Sequence, residues 1–333
     1  MQCSRQNLIS IVERASTISE RLGPKFTFDD QTDQALINQR LKKWCEAVTK
    51  GNQQKFEKRL AWDNLTIQKI CGALGTVRLV DDRRLPDWAE TLAEVLQAAS
   101  PEILEESHLH RYPYLDAEKP LPFEEVLIPF VEVAKKRLSS QASADYQQLS
   151  KSAQTQLERS LLEKLAGLCA FALELEFSIF RSYHDSPLSR FIGQLQTDPP
   201  RQQYTTFIKS LLNDGLLAFL QEYSVLARLT AIAVDFWVDA TTEFLQRLAS
   251  DLQDIQQTFQ AGESNLGQII AIEPALSDSH NQGRYVIALT FASGLKLIYK
   301  PKDLGIEAAY FELLDWCNRQ GVPLPFKIIK VLN

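Results

Sequence analysis

The chain has 333 residues, long enough for two domains. With 45% hydrophobic and 23% charged residues it has an ordinary globular composition, and its formal net charge of −6 argues against a nonspecific nucleic-acid binder. Five scattered cysteines, Cys3, Cys45, Cys71, Cys169 and Cys317, include no CxxC pair, which argues against a zinc framework or a disulfide scaffold and for reduced thiols in a cytoplasmic protein.

The first residues, "MQCSRQNLISIVERAS", lack the apolar core of a signal peptide. No apolar run reaches the ~20 residues of a membrane span. The nearest, "LLAFLQEYSVLARLTAIAVDFWV", is interrupted by Gln221, Glu222, Arg228 and Asp235.

Residues 1–262 read as helix after helix. Leu8, Ile11, Val12, Ala15, Ile18 and Leu22 recur on one helical face. A second helix is expected over Gln31–Lys50, with Leu36, Ile37, Leu41, Trp44 and Val48 inward. Asp63 reads as the N-cap of "NLTIQKICGAL". Pro86 and Pro122 each stand at a helix start, where a missing N–H costs little. Pro129 is expected to kink or divide the helix that Pro122 opens. Residues 147–181 read as one long helix, and 203–260 as another helical region broken at "NDG", 213–215. The most linker-like pieces are 181–187, 196–203 and 260–267, and the last ends the helical part.

From residue 263 the period changes from 3.6 to 2. "QIIAIEPAL" is a short β-rich run. "RYVIALTF" places Tyr285, Ile287, Leu289 and Phe291 on one face and Arg284, Val286, Ala288 and Thr290 on the other. "ASG" makes a turn in which Gly294 takes positive φ. "LKLIYK" returns, and Pro301 ends it. A helix capped by Asp303 runs to Gln320 with Ile306, Tyr310, Leu313, Leu314 and Cys317 in one stripe, and Gly321 stops it. "PFKIIKVLN" reads as one more strand. The fold expected is therefore mainly α with a small antiparallel β lobe (α+β).

Strand, polar loop, strand, tight turn, strand with lysine, helix, strand is the order of a kinase N-terminal lobe. There a lysine on the third strand holds nucleotide phosphates, because a fixed cation beside a polyanion must sit on a rigid element. Lys300 fits that place. Ile298 shares its face and is positioned to meet the adenine, and Glu307 is positioned to pair with Lys300. The loop "SDSHNQG" has one glycine, Gly283, and adds Asp278 and His280. An acid beside phosphates needs a metal or a base between them. The plainer reading is a polar hairpin whose lysines lie on a solvated face.

"DSHNQGRYVIALTFASGLKLIYKPKDL" closely resembles the start of the kinase-like part of class II lanthipeptide synthetases, the LanM type. The match is carried by Asp278, Ser279, His280, Gly283, Arg284, Ser293, Gly294, Tyr299, Lys300, Pro301 and Lys302. "EAAYFELLDWCNRQG" resembles the helix that follows, and "EYSVLARL" and "FLQRLASDLQDI" are weaker echoes upstream. The resemblance is tight over 277–321 and loose over about 120–333.

It implies a lipid-kinase-like fold with extra helical regions, whose N-lobe begins at residue 263. It also implies a dehydratase that uses ATP and Mg²⁺ to phosphorylate Ser and Thr of a ribosomal precursor peptide. Phosphate is then eliminated, leaving dehydro residues. By motif position Lys300 is the phosphate lysine, and Asp278 and His280 lie in the phosphate-covering loop. The catalytic aspartate, the metal-binding Asn and Asp, and the zinc-bearing cyclase of such enzymes are expected beyond Asn333. On this reading the chain is an N-terminal fragment that does not turn over alone and works with the rest of the synthetase.

The rival readings are a non-catalytic module that binds the precursor's leader peptide, and a kinase-like enzyme with a lipid or small-alcohol acceptor. "HLHRYPYL" places His108 and His110 two apart, which is not the i, i+4 spacing of a metal helix. His184 beside Asp185 is a weak candidate dyad. The basic residues of "EKRLAWDNLTIQK" and "AKKRL" read as solvated faces, or as a docking surface for a leader helix.

Overall fold

A computed structural model of the protein describes residues 4–28, 33–81, 84–105, 111–184, 201–259 and 265–333. His108, His110 and Asp185 lie outside the described residues, as do the side chain of His184 and most of the linker-like pieces. The described residues are mostly helical, with one antiparallel sheet of two strands and one of three. It forms two compact units. One comprises residues 1–97 and 214–229; the other comprises 98–213 and 230–333.

The first unit contains helices α1 (Arg5–Ala15), α2 (Ile18–Arg21), α3 (Gln34–Thr49), α4 (Gln53–Trp62), α5 (Ile67–Leu74) and α6 (Asp87–Ala98). Strands β1 (Phe26–Phe28) and β2 (Val77–Leu79) pair antiparallel, Thr27 opposite Arg78. Cys45, Phe56, Leu60 and Ile70 form a buried cluster, with Trp44 edge-on to Phe56 at 5.3 Å.

The face expected as one helix from Leu8 to Leu22 is broken after Ala15. Thr17 accepts the Glu20 N–H while the Glu20 carboxylate accepts the Thr17 N–H, a reciprocal cap that starts a new helix. Asp63 closes α4, and Thr66 is the residue that caps α5. Val48, expected inward, is 47% exposed, because Ile37 and Cys45 carry the buried face of α3.

Burial alone would raise the Glu20 carboxyl. Hydrogen bonds from Arg228 and Thr17 outweigh it and hold the pKa at about 2.

The second unit is built on α7 (Glu124–Tyr146), α8 (Lys151–His184), α9 (Arg201–Asn213) and most of α11 (Ser224–Phe259); the short α10 (Leu217–Glu222) belongs to the first unit. Strands β3 (Ile269–Glu273), β4 (Ile287–Phe291) and β5 (Lys296–Tyr299) and helix α12 (Gly305–Arg319) follow. Pro129 lies inside α7 and does not divide it; the helix is kinked instead at Ala142, the one residue inside it with non-helical φ/ψ. Val126 to Val131 are buried without interruption. That burial offsets the ~3 kcal/mol an internal proline costs. On this helix Lys135 lies 3.0 Å from Glu132 and 3.6 Å from Glu158 of α8; the two carboxylates accept hydrogen bonds from Tyr114 and Tyr146 respectively. Burial pushes both tyrosines and Glu158 up.

Candidate functional site

The three-stranded sheet has the order β3-β4-β5, antiparallel throughout. Alternation gives it one closed face and one open face. Ile269, Ile272, Ile287, Leu289 and Phe291 are buried on the closed face, and Tyr299 rests on Phe244 of α11 with ring centroids 5.0 Å apart. The open face carries Thr290 opposite Lys296 and Ala288 opposite Ile298, which is 55% exposed. Lys300, one residue past β5, continues that face. The sequence's two-face reading of β4 holds from Ile287 onward. The strand does not begin at Arg284, because that residue is drawn into the preceding loop.

Ile287 pairs with Tyr299 and Glu273 with Ala288. This register brings the loop that leads into β4 and the Lys300 end of β5 to the same end of the sheet. The Phe291 N–H donates to the Leu295 carbonyl at 2.9 Å, and Gly294 turns the chain with φ 87°, as its position in "ASG" requires. Lys300 has no hydrogen-bond or ion-pair partner for its ammonium among the described residues. Ile298 lies between Lys296 and Lys300 on the outermost strand.

The loop is held at both ends. The Ser277 hydroxyl accepts the Val286 N–H at 3.2 Å. His280 and Arg284 exchange backbone hydrogen bonds of 2.8 and 2.9 Å, closing a miniature hairpin. Its three central residues, Asn281, Gln282 and Gly283, all have positive φ, at 42°, 65° and 89°. At Gly283 a Cβ would stand 3.0 Å from the Phe236 Cβ and 3.3 Å from its carbonyl oxygen, so only glycine fits there.

Arg284 anchors the hairpin to α11. Its Nε donates to Glu243 Oε2 at 2.8 Å, and its terminal nitrogens reach Glu243 and, at 2.5 Å, the Asn281 carbonyl. Hydrogen bonding from Arg284 is the main cause that holds the Glu243 carboxyl below its ordinary value, with Arg247 adding to it. Arg247 lies 2.6 Å from Glu243 and donates to the Tyr299 hydroxyl at 3.4 Å. A chain of contacts thus links the loop to the residue before Lys300. Glu243 and Arg247 escaped the sequence reading. Their i, i+4 spacing is a common surface pattern and does not announce a long-range partner.

The six residues singled out from the sequence are distributed as follows. Gly283 is buried against α11, while Asp278, His280, Ile298 and Lys300 are exposed. Asp278 lines a cleft of about 1000 Å³ together with Gln156, Arg159, Lys164, Trp237 and Ser279, and His280 is not among the residues that line it. Glu307 is half-buried, and its ion pair goes to Lys302, which is the main cause holding its carboxyl below the ordinary value; Lys300 adds a weaker, through-space contribution. The Glu307–Lys300 pairing expected from the helix face is therefore replaced by one with a residue two places on.

Asp303 Oδ1 accepts the Gly305 N–H at 2.6 Å at the start of α12, and Gly321 ends the helix with φ 82°. No residue of α12 is buried, and Ile306 is 86% exposed. The expected strand at 325–333 does not form. A strand needs a ladder partner, and here the Phe326 backbone is held instead by the Asn318 side chain, through bonds of 2.7 and 2.9 Å.

Among the described residues no group of three or more His, Cys, Asp or Glu is placed to hold a metal ion. No helix of the described residues is long and apolar enough to cross a membrane.

Residues 223–333 match a protein family described as a domain of unknown function, DUF4135, a domain found in lanthipeptide synthetase-like proteins. No curated protein matches the chain. The matched span takes in α11 with Glu243 and Arg247, the sheet, the loop and Lys300.

Proposed function

We propose that residues 265–333 form the nucleotide-facing sheet of a kinase-like lanthipeptide dehydratase of the LanM type. The observation that carries the reading is the strand register. It sets the Asp278–His280 loop and the unpartnered Lys300 ammonium at one end of a sheet whose open face presents Ile298. An ammonium at a strand end, two residues from the exposed apolar side chain of Ile298, suits a nucleotide polyphosphate. The match over 223–333 to a domain found in lanthipeptide synthetase-like proteins supports the same reading.

In that role Lys300 holds phosphate oxygens and Ile298 contacts the adenine. The loop, tethered by Arg284 to Glu243, closes over the phosphates. The γ-phosphoryl group passes to the hydroxyl oxygen of a Ser or Thr in a precursor peptide, giving ADP and a phosphoester. Loss of the Cα proton and departure of phosphate from Cβ then leaves the dehydro residue. Asp278 and His280 are the groups of this chain nearest in role to phosphate handling. Mg²⁺, when bound, supplies charge neutralisation between phosphates. The rest of the synthetase, with the metal's ligands, is the proposed partner of this chain, along with the precursor and its leader.

Binding of a fluorescent ATP analogue to the chain tests the reading. Lys300→Ala is expected to weaken it by about tenfold or more, the scale of one lost charge-assisted contact, with the melting temperature unchanged. Equal binding by the variant and the parent overturns the assignment. In the assembled synthetase the same variant is expected to stop dehydration of a precursor peptide, followed by mass spectrometry, while leader binding persists. Persistence of leader binding with no nucleotide binding in either protein would favour the non-catalytic leader-binding module.

A further inference from the structure

The first unit contains a cavity of about 600 Å³ that the nucleotide reading does not use. That is within the range of ligand pockets, roughly 300–1,000 Å³. Four arginines line it, Arg14, Arg21, Arg40 and Arg78, against two acids, Glu13 and Glu222. Both acids are engaged. Glu13 Oε1 accepts the Leu79 N–H at 3.0 Å, and its other oxygen lies 3.6 Å from Arg78. Glu222 lies 3.8 Å from Arg14. With these pairs removed, Arg21 and Arg40 remain, so the cavity wall carries two positive charges in a chain whose net charge is −6.

These two guanidiniums meet carbonyls rather than carboxylates. Arg21 donates to the carbonyls of Ala73 at 2.9 Å and Gly75 at 3.4 Å, to those of Glu13 and Arg14 at 3.2 and 3.3 Å, and to Ser16. Its donors are spent, so it contributes a fixed charge. Arg40 donates to the Leu74 carbonyl at 2.5 Å from one terminal nitrogen, and most of its five donors remain for a ligand. Burial is the main cause that lowers the Arg21 pKa, and the nearby Arg40 charge lowers it further. Two like charges brought this close on a partly buried wall are stabilised by an anion between or beside them. The lining is apolar in part: Val225, 57% exposed, belongs to it.

We propose that this cavity binds a short acidic peptide segment, with an Asp or Glu carboxylate on Arg40 in the field of Arg21 and an adjacent apolar side chain on Val225. The apolar wall is what favours a peptide over a free inorganic anion. This site stands independently of the nucleotide reading.

The test is fluorescence anisotropy with the full chain and a labelled peptide of alternating Glu and Val, against the same peptide with Gln for Glu. The acidic peptide is expected to bind more tightly, and its affinity to fall as salt rises. Arg40→Gln is expected to weaken binding by about tenfold, the loss of one charge-assisted contact. Because Arg40 also holds a backbone carbonyl, two further variants guard against misfolding. Thr76→Asp, an exposed position on the cavity rim, is expected to weaken binding by placing a carboxylate inside. Glu222→Gln is expected to strengthen it by releasing Arg14. Equal affinity for the Glu and Gln peptides overturns the proposal, as does full displacement of the peptide by equimolar inorganic phosphate, which would make the site one for a free anion. Indifference of binding to all three variants also overturns it.

Discussion

The two faces of the three-stranded sheet differ in composition and in burial. On the closed face Ile287, Leu289 and Phe291 are at most 5% exposed and lean on helices. On the open face Ile298 is exposed between two lysines. The closed face is explained by burial alone. The open face instead leaves Ile298 and Lys300 exposed at the sheet end that also carries the Asp278–His280 loop, and the proposed nucleotide site uses that juxtaposition.

The comparison is broken most forcefully by removing the closed face. Phe291→Ala should cost about 3–5 kcal/mol in urea unfolding, the usual range for a buried phenylalanine. A smaller cost would mean that the sheet does not rest on its aromatic side. Next comes the loop at the sheet's end. Gly283→Ala forces an alanine to φ 89° against Phe236 and should cost roughly 1–3 kcal/mol, while weakening nucleotide binding more than Ser293→Ala does.

The tether itself is sharpened by pH. Glu243 has a carboxyl pKa lowered from 4.5, so the stability it contributes is fully present above about pH 4.5 and is lost as pH falls through the lowered folded value. Thermal melts of the parent and Glu243→Gln should therefore converge as the pH is taken below 4.5; a constant difference would show that the charge is not what matters. The smallest stability effect is expected on the open face. Ile298→Ala should change folding by no more than about 0.5 kcal/mol yet weaken binding of the ATP analogue, and a variant that binds as the parent does removes Ile298 from the site.

The positions of Lys300, Gly283 and Gly294 and the faces of β4 were legible because period-2 alternation and a glycine at a required positive φ are local signals. The Arg284–Glu243–Arg247–Tyr299 chain was not, since its members are more than 40 residues apart at the first step and meet only after α11 folds beside the sheet. Strands β1 and β2 escaped for a different reason. At three residues each they are too short to show a period. The Thr17–Glu20 cap was hidden inside a face that looked continuous, and Asp63, expected as the cap, stands three residues before Thr66, the residue that does cap. The segment at 325–333 has a strand's composition, which is a statement about side chains. Whether it becomes a strand depends on a neighbouring backbone, which composition does not specify.

One property of β5 bears on how the protein behaves in concentrated solution. The bond from Phe291 to Leu295 and the register of Leu289 with Leu297 turn the backbone groups of Ile298 outward, along the edge of the sheet. Two molecules approaching by this edge, antiparallel and centred on Ile298, would set Lys296 of each against Lys300 of the other. The meeting is repelled twice, at both ends of the same short contact. The arrangement is a colloidal safeguard, and raising the ionic strength should weaken it, so any tendency of this protein to self-associate through the sheet is expected to grow with salt.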